Sequence, residues 1–257
     1  MSKVIRQIIL FGAPVVVGVM NLFHPVHFEM TGIYDAVQQQ VAWWITLHFV
    51  NLLSFPVLGL AVYLLIKDTP GTAALVGKVA LAVFVPTYTG FDALAGIGTG
   101  TLIQNARGLS PDQLAVVKPT IDAYWASAAV TVLATIGSIA WSVSMTSAAI
   151  AFVEPKRRPA MLALGVAAGG VVGWGVATSS FGTWPWWMAV GLVGLIGLVV
   201  SRPWLPGTLL ILAGVLFGTT HVVPYGPLAM VCLVGAAAWL EFMPHRVEFA
   251  RKVATAA

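Results

Sequence analysis

Four histidines are the residues of this sequence whose type and placement point most clearly to chemistry: His24, His27, His48 and His221. Neutral imidazole is the commonest protein ligand for transition metals. Three or four imidazoles with a nearby carboxylate suit zinc, and the same donors also bind copper or ferrous iron. Zinc held by three protein ligands lowers the pKa of a coordinated water to about 7, which supplies hydroxide for hydrolysis. The histidines therefore predict a site for zinc or another divalent transition metal.

Three carboxylates are candidates for the catalytic groups beside such an ion: Asp92, Asp122 and Glu29. A carboxylate in this position orients the water or accepts its proton. An ionisable residue inside a membrane is a functional candidate by default, which makes Asp92 the strongest of the three. The alternative for Asp92 is a protonated side chain bonded to Tyr88 or Thr89, about one helical turn before it.

Each histidine also has a structural interpretation. His24 and His27 lie in a predicted loop, where a solvated histidine at the membrane interface is common. His48 and His221 would in that case bond a neighbouring helix through the ring. We interpret the fifth histidine, His245, as a cytoplasmic surface residue because it stands beside an arginine beyond the last apolar run.

The composition defines the class of protein that must position these residues. Hydrophobic residues make up 59% of the chain and charged residues 9%, whereas globular domains carry about 25% charged residues. The sequence therefore predicts an all-α polytopic membrane protein. Its net charge of +4 does not indicate nucleic-acid binding, because the basic residues stand at the ends of apolar runs. The single cysteine, Cys232, excludes an intrachain disulfide and a thiolate metal site.

Runs of roughly 20 apolar residues predict a single domain, residues 1–257, built as a bundle of about eight transmembrane helices. The predicted spans cover residues 5–23, 41–66, 73–102, 121–152, 161–180, 186–200, 205–221 and 224–242. The sixth and seventh are short. The first resembles the apolar part of a signal peptide but lacks a clean cleavage site, so we interpret it as a retained span.

Basic residues give the predicted orientation, with both termini in the cytoplasm. With eight spans, the following basic residues fall on the inner side: Lys3, Arg6, Lys67, Lys156, Arg157, Arg158, Arg202, Arg246, Arg251 and Lys252. Only Arg107 and Lys118 fall outside. The richness in Ala, Gly, Val and Leu is typical of a bacterial inner membrane. The two longest connections, residues 24–40 and 105–120, both face outward. Ser110-Pro111-Asp112 in the second predicts the cap and first turn of a short helix.

Counting from the basic residues places the candidate site near the outer face. His48 precedes Lys67 by 19 positions and His221 follows Arg202 by 19, which puts each roughly 28 Å from the inner boundary. Asp92 follows Lys78 by 14 positions, roughly 21 Å up. We therefore expect histidines from different spans to converge at one face. A site at the outer membrane edge suits a lipid or an amphipathic small molecule as substrate.

The order His48, Asp92, His221 is similar to that in the membrane hydrolases that include alkaline ceramidases and adiponectin receptors. Those proteins carry a histidine in an early span, an aspartate in the next and two histidines four residues apart in a late span. Here Tyr225 stands four residues after His221, and Trp44 stands where those proteins have a serine before the early histidine. The sequence therefore shares the order of the donors and departs from the family pattern, and we assign it to no family.

Three other functions remain open at this stage. His48 and His221, at equal depth on two spans, would ligate a b-type haem from both sides. Asp92 in a bundle with proline-containing spans resembles the carboxylate of a proton-coupled transporter. The third alternative is a structural subunit of a larger membrane complex, although the sequence identifies no protein partner.

Overall fold

The computed structural model describes residues 1–25, 32–153, 158–177 and 205–242, and every regular element in these ranges is helical. The helices are α1 (Lys3–Leu22), α2 (Ile33–Val37), α3 (Val41–Ile66), α4 (Thr72–Ala106), α5 (Pro111–Trp125), α6 (Ala128–Ala151), α7 (Arg158–Ala177), α8 (Leu205–Thr219) and α9 (Tyr225–Phe242). Helix α1 contains a π-helical turn at Ile8–Gly12, and α4 contains a longer one at Asp92–Gly98.

Five segments are long and apolar enough to cross a membrane. They are Lys3–Leu22, Ile33–Ile66, Thr72–Ala106, Pro111–Ala151 and Tyr225–Phe242. Helix α8 is apolar but only 15 residues long. The predicted all-α membrane architecture is confirmed to this extent. The predicted span 186–200, the end of 161–180 and the site candidates His27 and Glu29 lie outside the described residues, as does His245.

Six of these helices pack in a closed cycle. Helix α1 packs against α3 and α9, α4 packs against α3 and α6, and α8 packs against α6 and α9. Aromatic side chains fill the middle of the cycle, and each is almost wholly buried: Phe55, Phe84, Tyr88, Trp141 and Phe217. Aliphatic side chains such as Leu53 and Val79 are exposed on the outside, as suits a lipid environment.

Small residues let the helices approach closely. A Cβ atom on Gly100 would lie 2.6 Å from Cγ1 of Ile45, and one on Gly165 would lie 2.5 Å from Cγ2 of Thr146. Both contacts join neighbouring helices, so these glycines serve packing.

A small cap covers one end of the bundle. It consists of α2 and α5, whose apolar sides share a cluster with the start of α3 and the end of α4. Ser110 and Gln113 form a capping box at the start of α5, which confirms the predicted helix start. The helix is 15 residues long and ends at Trp125. The predicted span 121–152 is therefore divided, because the chain bends at Ser127 before α6 begins.

At the start of α1, away from the cap, a partly buried ion pair holds three helices together. The Nε atom of Arg6 donates to Oε1 of Glu241 on α9 at 2.9 Å. Its Nη1 atom donates to the carbonyl of Leu64 on α3, also at 2.9 Å. This contact fixes the ends of α1, α3 and α9 that lie away from the histidines.

Candidate metal centre

The structure brings three of the four predicted histidines together. His24 follows the last turn of α1, His48 lies in the first half of α3, and His221 lies in the turn after α8. One ring nitrogen from each lies within 4.8 Å of those of the other two. The three nitrogens are therefore close enough to converge on a single ion after a small inward movement of the rings. The residues are only 7%, 2% and 5% exposed.

In each of the three histidines, the Nδ1 atom has a partner. Nδ1 of His48 donates to Oδ1 of Asp92 at 2.8 Å, and Nδ1 of His24 donates to the carbonyl of Pro25 at 2.8 Å. Nδ1 of His221 lies 3.1 Å from the hydroxyl of Tyr88. A carboxylate and a carbonyl only accept hydrogen bonds, so two of the three tautomers are fixed with the proton on Nδ1.

The Nε2 atoms of the same three rings are buried and have no hydrogen-bond partner. Buried polar atoms are almost always satisfied, so three unpartnered nitrogens in one cluster call for an explanation. Metal-binding histidines characteristically bond through one nitrogen to a carboxylate, carbonyl or other polar group and coordinate through the second. The three rings therefore have the arrangement of a ligand set, with Nε2 as the donor atom.

Burial and the neighbouring rings keep His24 neutral. Its pKa is lowered from 6.5 to about 3, first by burial and then by the proximity of His48. A neutral imidazole is the form that coordinates a metal, so no proton has to be displaced from His24 at neutral pH.

Gly96 and Trp44 position His48. A Cβ atom on Gly96 would overlap Cγ of the His48 ring, so only glycine leaves room for the imidazole against α4. Nε1 of Trp44 donates to the carbonyl of Gly96 at 2.8 Å. The Trp44 ring lies 4.5 Å from His48 and 5.2 Å from His24, measured between centroids. The π-helical turn of α4 thus provides both the Asp92 acceptor and the space for the ring that it orients.

Aromatic rings enclose the side of the site around His221. The centroids of Phe55, Phe91, Phe217 and Tyr88 all lie 5.9–6.4 Å from the His221 ring centroid. These rings exclude water from the site, which strengthens electrostatic interactions inside it.

A pair of buried asparagines, one on α1 and one on α3, lies about one helical turn from the histidines, towards the middle of the bundle. Nδ2 of Asn21 donates to Oδ1 of Asn51 at 3.3 Å, and Nδ2 of Asn51 donates to Oδ1 of Asn21 at 3.4 Å. Asn21 precedes His24 by three residues, and Asn51 follows His48 by three. The pair therefore sets how α1 and α3 meet where both carry a candidate ligand.

We expect Asn51→Ala to destabilise the protein by about 1–2 kcal/mol, because Asn21 loses its interhelical partner. Thermal unfolding in detergent measures the change. The double variant Asn21→Leu with Asn51→Leu removes both polar groups and should recover part of the loss. Asn105→Ala, at an exposed position on α4, is the matched control. Equal effects of Asn51→Ala and Asn105→Ala would show that the pair contributes nothing.

The carboxylates predicted for catalysis have different surroundings. Asp92 is fully buried and contacts Nδ1 of His48, not a free Nε2. Oδ1 of Asp122 accepts the backbone N–H of Tyr34 at 3.3 Å and so anchors the start of α2. Asp122 is not part of the histidine cluster. Glu29 lies outside the described residues.

Sequence reasoning missed several residues that shape this site. Tyr88 was considered a partner of Asp92, yet it contacts His221. The only signal for the asparagine pair was a polar residue within each of two apolar runs. Gly226 was also missed: a Cβ there would overlap the carbonyl of His221, so the turn that carries the histidine requires glycine.

Among the described residues no fourth ligand joins the three imidazoles, which leaves one coordination position open, as in catalytic zinc sites. Closure on an ion at 2.0–2.1 Å would place the donors about 3.4 Å apart, so the rings would draw slightly closer together. The chain matches no family model, no curated protein and no solved structure.

Proposed function

We propose that this chain is a metal-dependent membrane hydrolase that binds one zinc-type ion through His24, His48 and His221. Its substrate is a lipid or another amphipathic molecule that reaches the site from the membrane edge. The observation that carries the proposal is the shared pattern of the three rings, each with Nδ1 bonded and Nε2 buried and unpartnered.

The number of protein ligands among the described residues, three, favours a catalytic ion. Structural zinc sites are closed by four protein ligands, whereas catalytic sites have three and leave a position for water or substrate. Asp92 acts in this proposal as a positioning residue. It bonds to Nδ1 of His48, so it orients the ring and makes Nε2 a better donor.

The placement of basic residues supports an outward-facing site in a bacterial inner membrane, with eight spans and both termini in the cytoplasm. Lys3 and Arg6 begin α1, whereas His24 follows its end. Lys67 follows the end of α3, and Lys78 near the start of α4 donates to the Lys67 carbonyl at 2.8 Å. These residues lie at the end of the bundle away from the histidines, which suits the positive-inside rule.

The packing around the rings favours a single ion over haem. The centroids of His48 and His221 are 6.2 Å apart, a separation that two axial ligands would also have. The His24 ring, however, lies 5.3 Å from His48 and 5.0 Å from His221, and Trp44 packs against both His24 and His48. A macrocycle between His48 and His221 would have to displace these rings.

Elemental analysis and a visible spectrum of the purified protein test the metal centre. We expect close to one zinc-type ion per chain and no Soret band. A Soret band that disappears in His48→Ala would instead establish the haem alternative. A protein that contains no metal, shows no visible absorption band and also fails to take up zinc would contradict both the zinc and the haem proposals.

Hydrolysis is tested with lipids in mixed micelles, offered as carboxylic esters, amides and phosphodiesters. Metal-loaded protein should release product from at least one class, and chelator-treated protein should not until zinc is restored. Metal-loaded protein that is inactive on all three classes, or turnover that survives metal removal, would contradict the proposal.

A further inference from the structure

Charge balance at the histidine cluster defines what its open position can hold, and this inference rests on the metal centre proposed above. A divalent ion brings two positive charges, and three neutral imidazoles offset neither of them. With the ion bound to Nε2 of His48, the nearby positive charge and the Nδ1–H donor favour the ionised form of Asp92, which contributes one negative charge. Among the described residues it is the only buried carboxylate, so one positive charge remains.

The surroundings of the site do not solvate that remaining charge. Apart from the partners of the Nδ1 atoms, the side chains packed around the rings are largely aromatic, including Phe55, Phe217 and Trp44. An uncompensated charge in such a setting is unfavourable by several kcal/mol. Because the cluster is almost fully buried, salt in the surrounding water screens this charge only weakly.

We infer that the fourth position of this centre selects a small monoanion, such as hydroxide, over a neutral ligand. One negative charge there makes the ion, Asp92 and the fourth ligand neutral together. A neutral ligand leaves the charge at +1, and a dianion reverses it to −1. The selectivity therefore follows from Asp92, the one buried carboxylate that the described part of the chain places beside the three rings.

Cobalt-substituted protein provides the measurement, since its visible bands report on coordination of the ion. Azide is the monoanion, imidazole the neutral ligand and sulfate the dianion. We expect azide to change the bands saturably, with imidazole and sulfate each at least about tenfold weaker, as the uncompensated charge implies.

Asp92→Asn changes the charge balance while keeping an oxygen that accepts from Nδ1 of His48. With cobalt at saturating concentration, this variant should bind azide about tenfold more tightly than wild type, because two positive charges then remain. Asp68→Asn is the matched control: the Asp68 side chain is 83% exposed beside Lys67, at the other end of the bundle, so azide affinity should not change.

The outcomes separate this inference from the function on which it rests. Cobalt bands that respond to imidazole as strongly as to azide, or weaker azide binding in Asp92→Asn, would overturn the monoanion selectivity while leaving the metal centre intact. Failure of the wild-type protein to develop cobalt bands at all would overturn the metal centre itself.

Discussion

His221→Ala should reduce bound metal from about one ion per chain to less than about a tenth. Loss of a residue that merely supports a ligand lowers metal affinity by about 10–100-fold, and loss of one of three ligands should exceed that. His24→Ala and His48→Ala should behave alike, because the three rings form one set. Elemental analysis after equilibration with a weak chelator measures the effect.

The control for this experiment is His245→Ala, which removes a histidine that the sequence predicts to be at the cytoplasmic surface. It should retain full metal content. Size-exclusion profiles show whether each variant remains folded. A folded His221→Ala protein with unchanged metal would exclude the proposed centre. His27→Ala, measured beside it, tests the fourth histidine that the sequence predicted as a ligand.

Gly96→Ala should have the second largest effect, although it adds only one methyl group. The new Cβ would overlap the His48 ring, and the π-helical backbone of α4 holds it there. We expect a loss of about 1–3 kcal/mol in stability, as for other overpacked sites. Displacement of His48 from Asp92 should also lower metal affinity by about tenfold or more.

Gly108→Ala is the matched substitution, because a Cβ atom at Gly108 would meet no atom within 4 Å. Unfolding temperature and metal affinity should both be unchanged in that variant. If Gly96→Ala also left both unchanged, His48 could not be held against α4 as described.

The depth of the site could be predicted from sequence because a helix rises by a constant amount per residue. Counting from Lys67 and Arg202 placed His48 and His221 at one level, and their ring centroids are 6.2 Å apart. The same count placed Asp92 at a depth near that of the two histidines, and the Asp92 side chain contacts His48. The five candidate spans were likewise evident from their apolar runs.

The atomic contacts of the site could not be predicted, since they depend on the rotation of each helix about its axis. The depth of a residue in the membrane does not show whether Asp92 contacts a histidine ring at Nδ1 or lies near Nε2. A contact at Nδ1 makes Asp92 a residue that positions the ring, whereas a place near Nε2 would suit a catalytic base. The role of Gly96 is also invisible in sequence, where it resembles any other packing glycine. Asp122 was predicted to lie beside the ion, but it accepts the N–H of Tyr34, a residue 88 positions away that no sequence pattern connects to it.

The division between α5 and α6 was missed for a local reason. Residues 121–152 form a continuous apolar run in which neither glycine nor proline marks the bend. The chain turns at Ser127, which has an extended backbone with ψ 154°. A serine in that position is typical of a helix start, but the apolar pattern on both sides concealed it.

Trp44 connects the cap to the buried rings. Its indole belongs to the apolar cluster beneath α2 and α5, and it also touches His24 and His48. We therefore expect a ligand that shifts the cap, such as a lipid headgroup or an antibody fragment bound to α2, to move Trp44 and with it one wall of the histidine cluster. A single side chain would in this way transmit a change in the cap to the three rings.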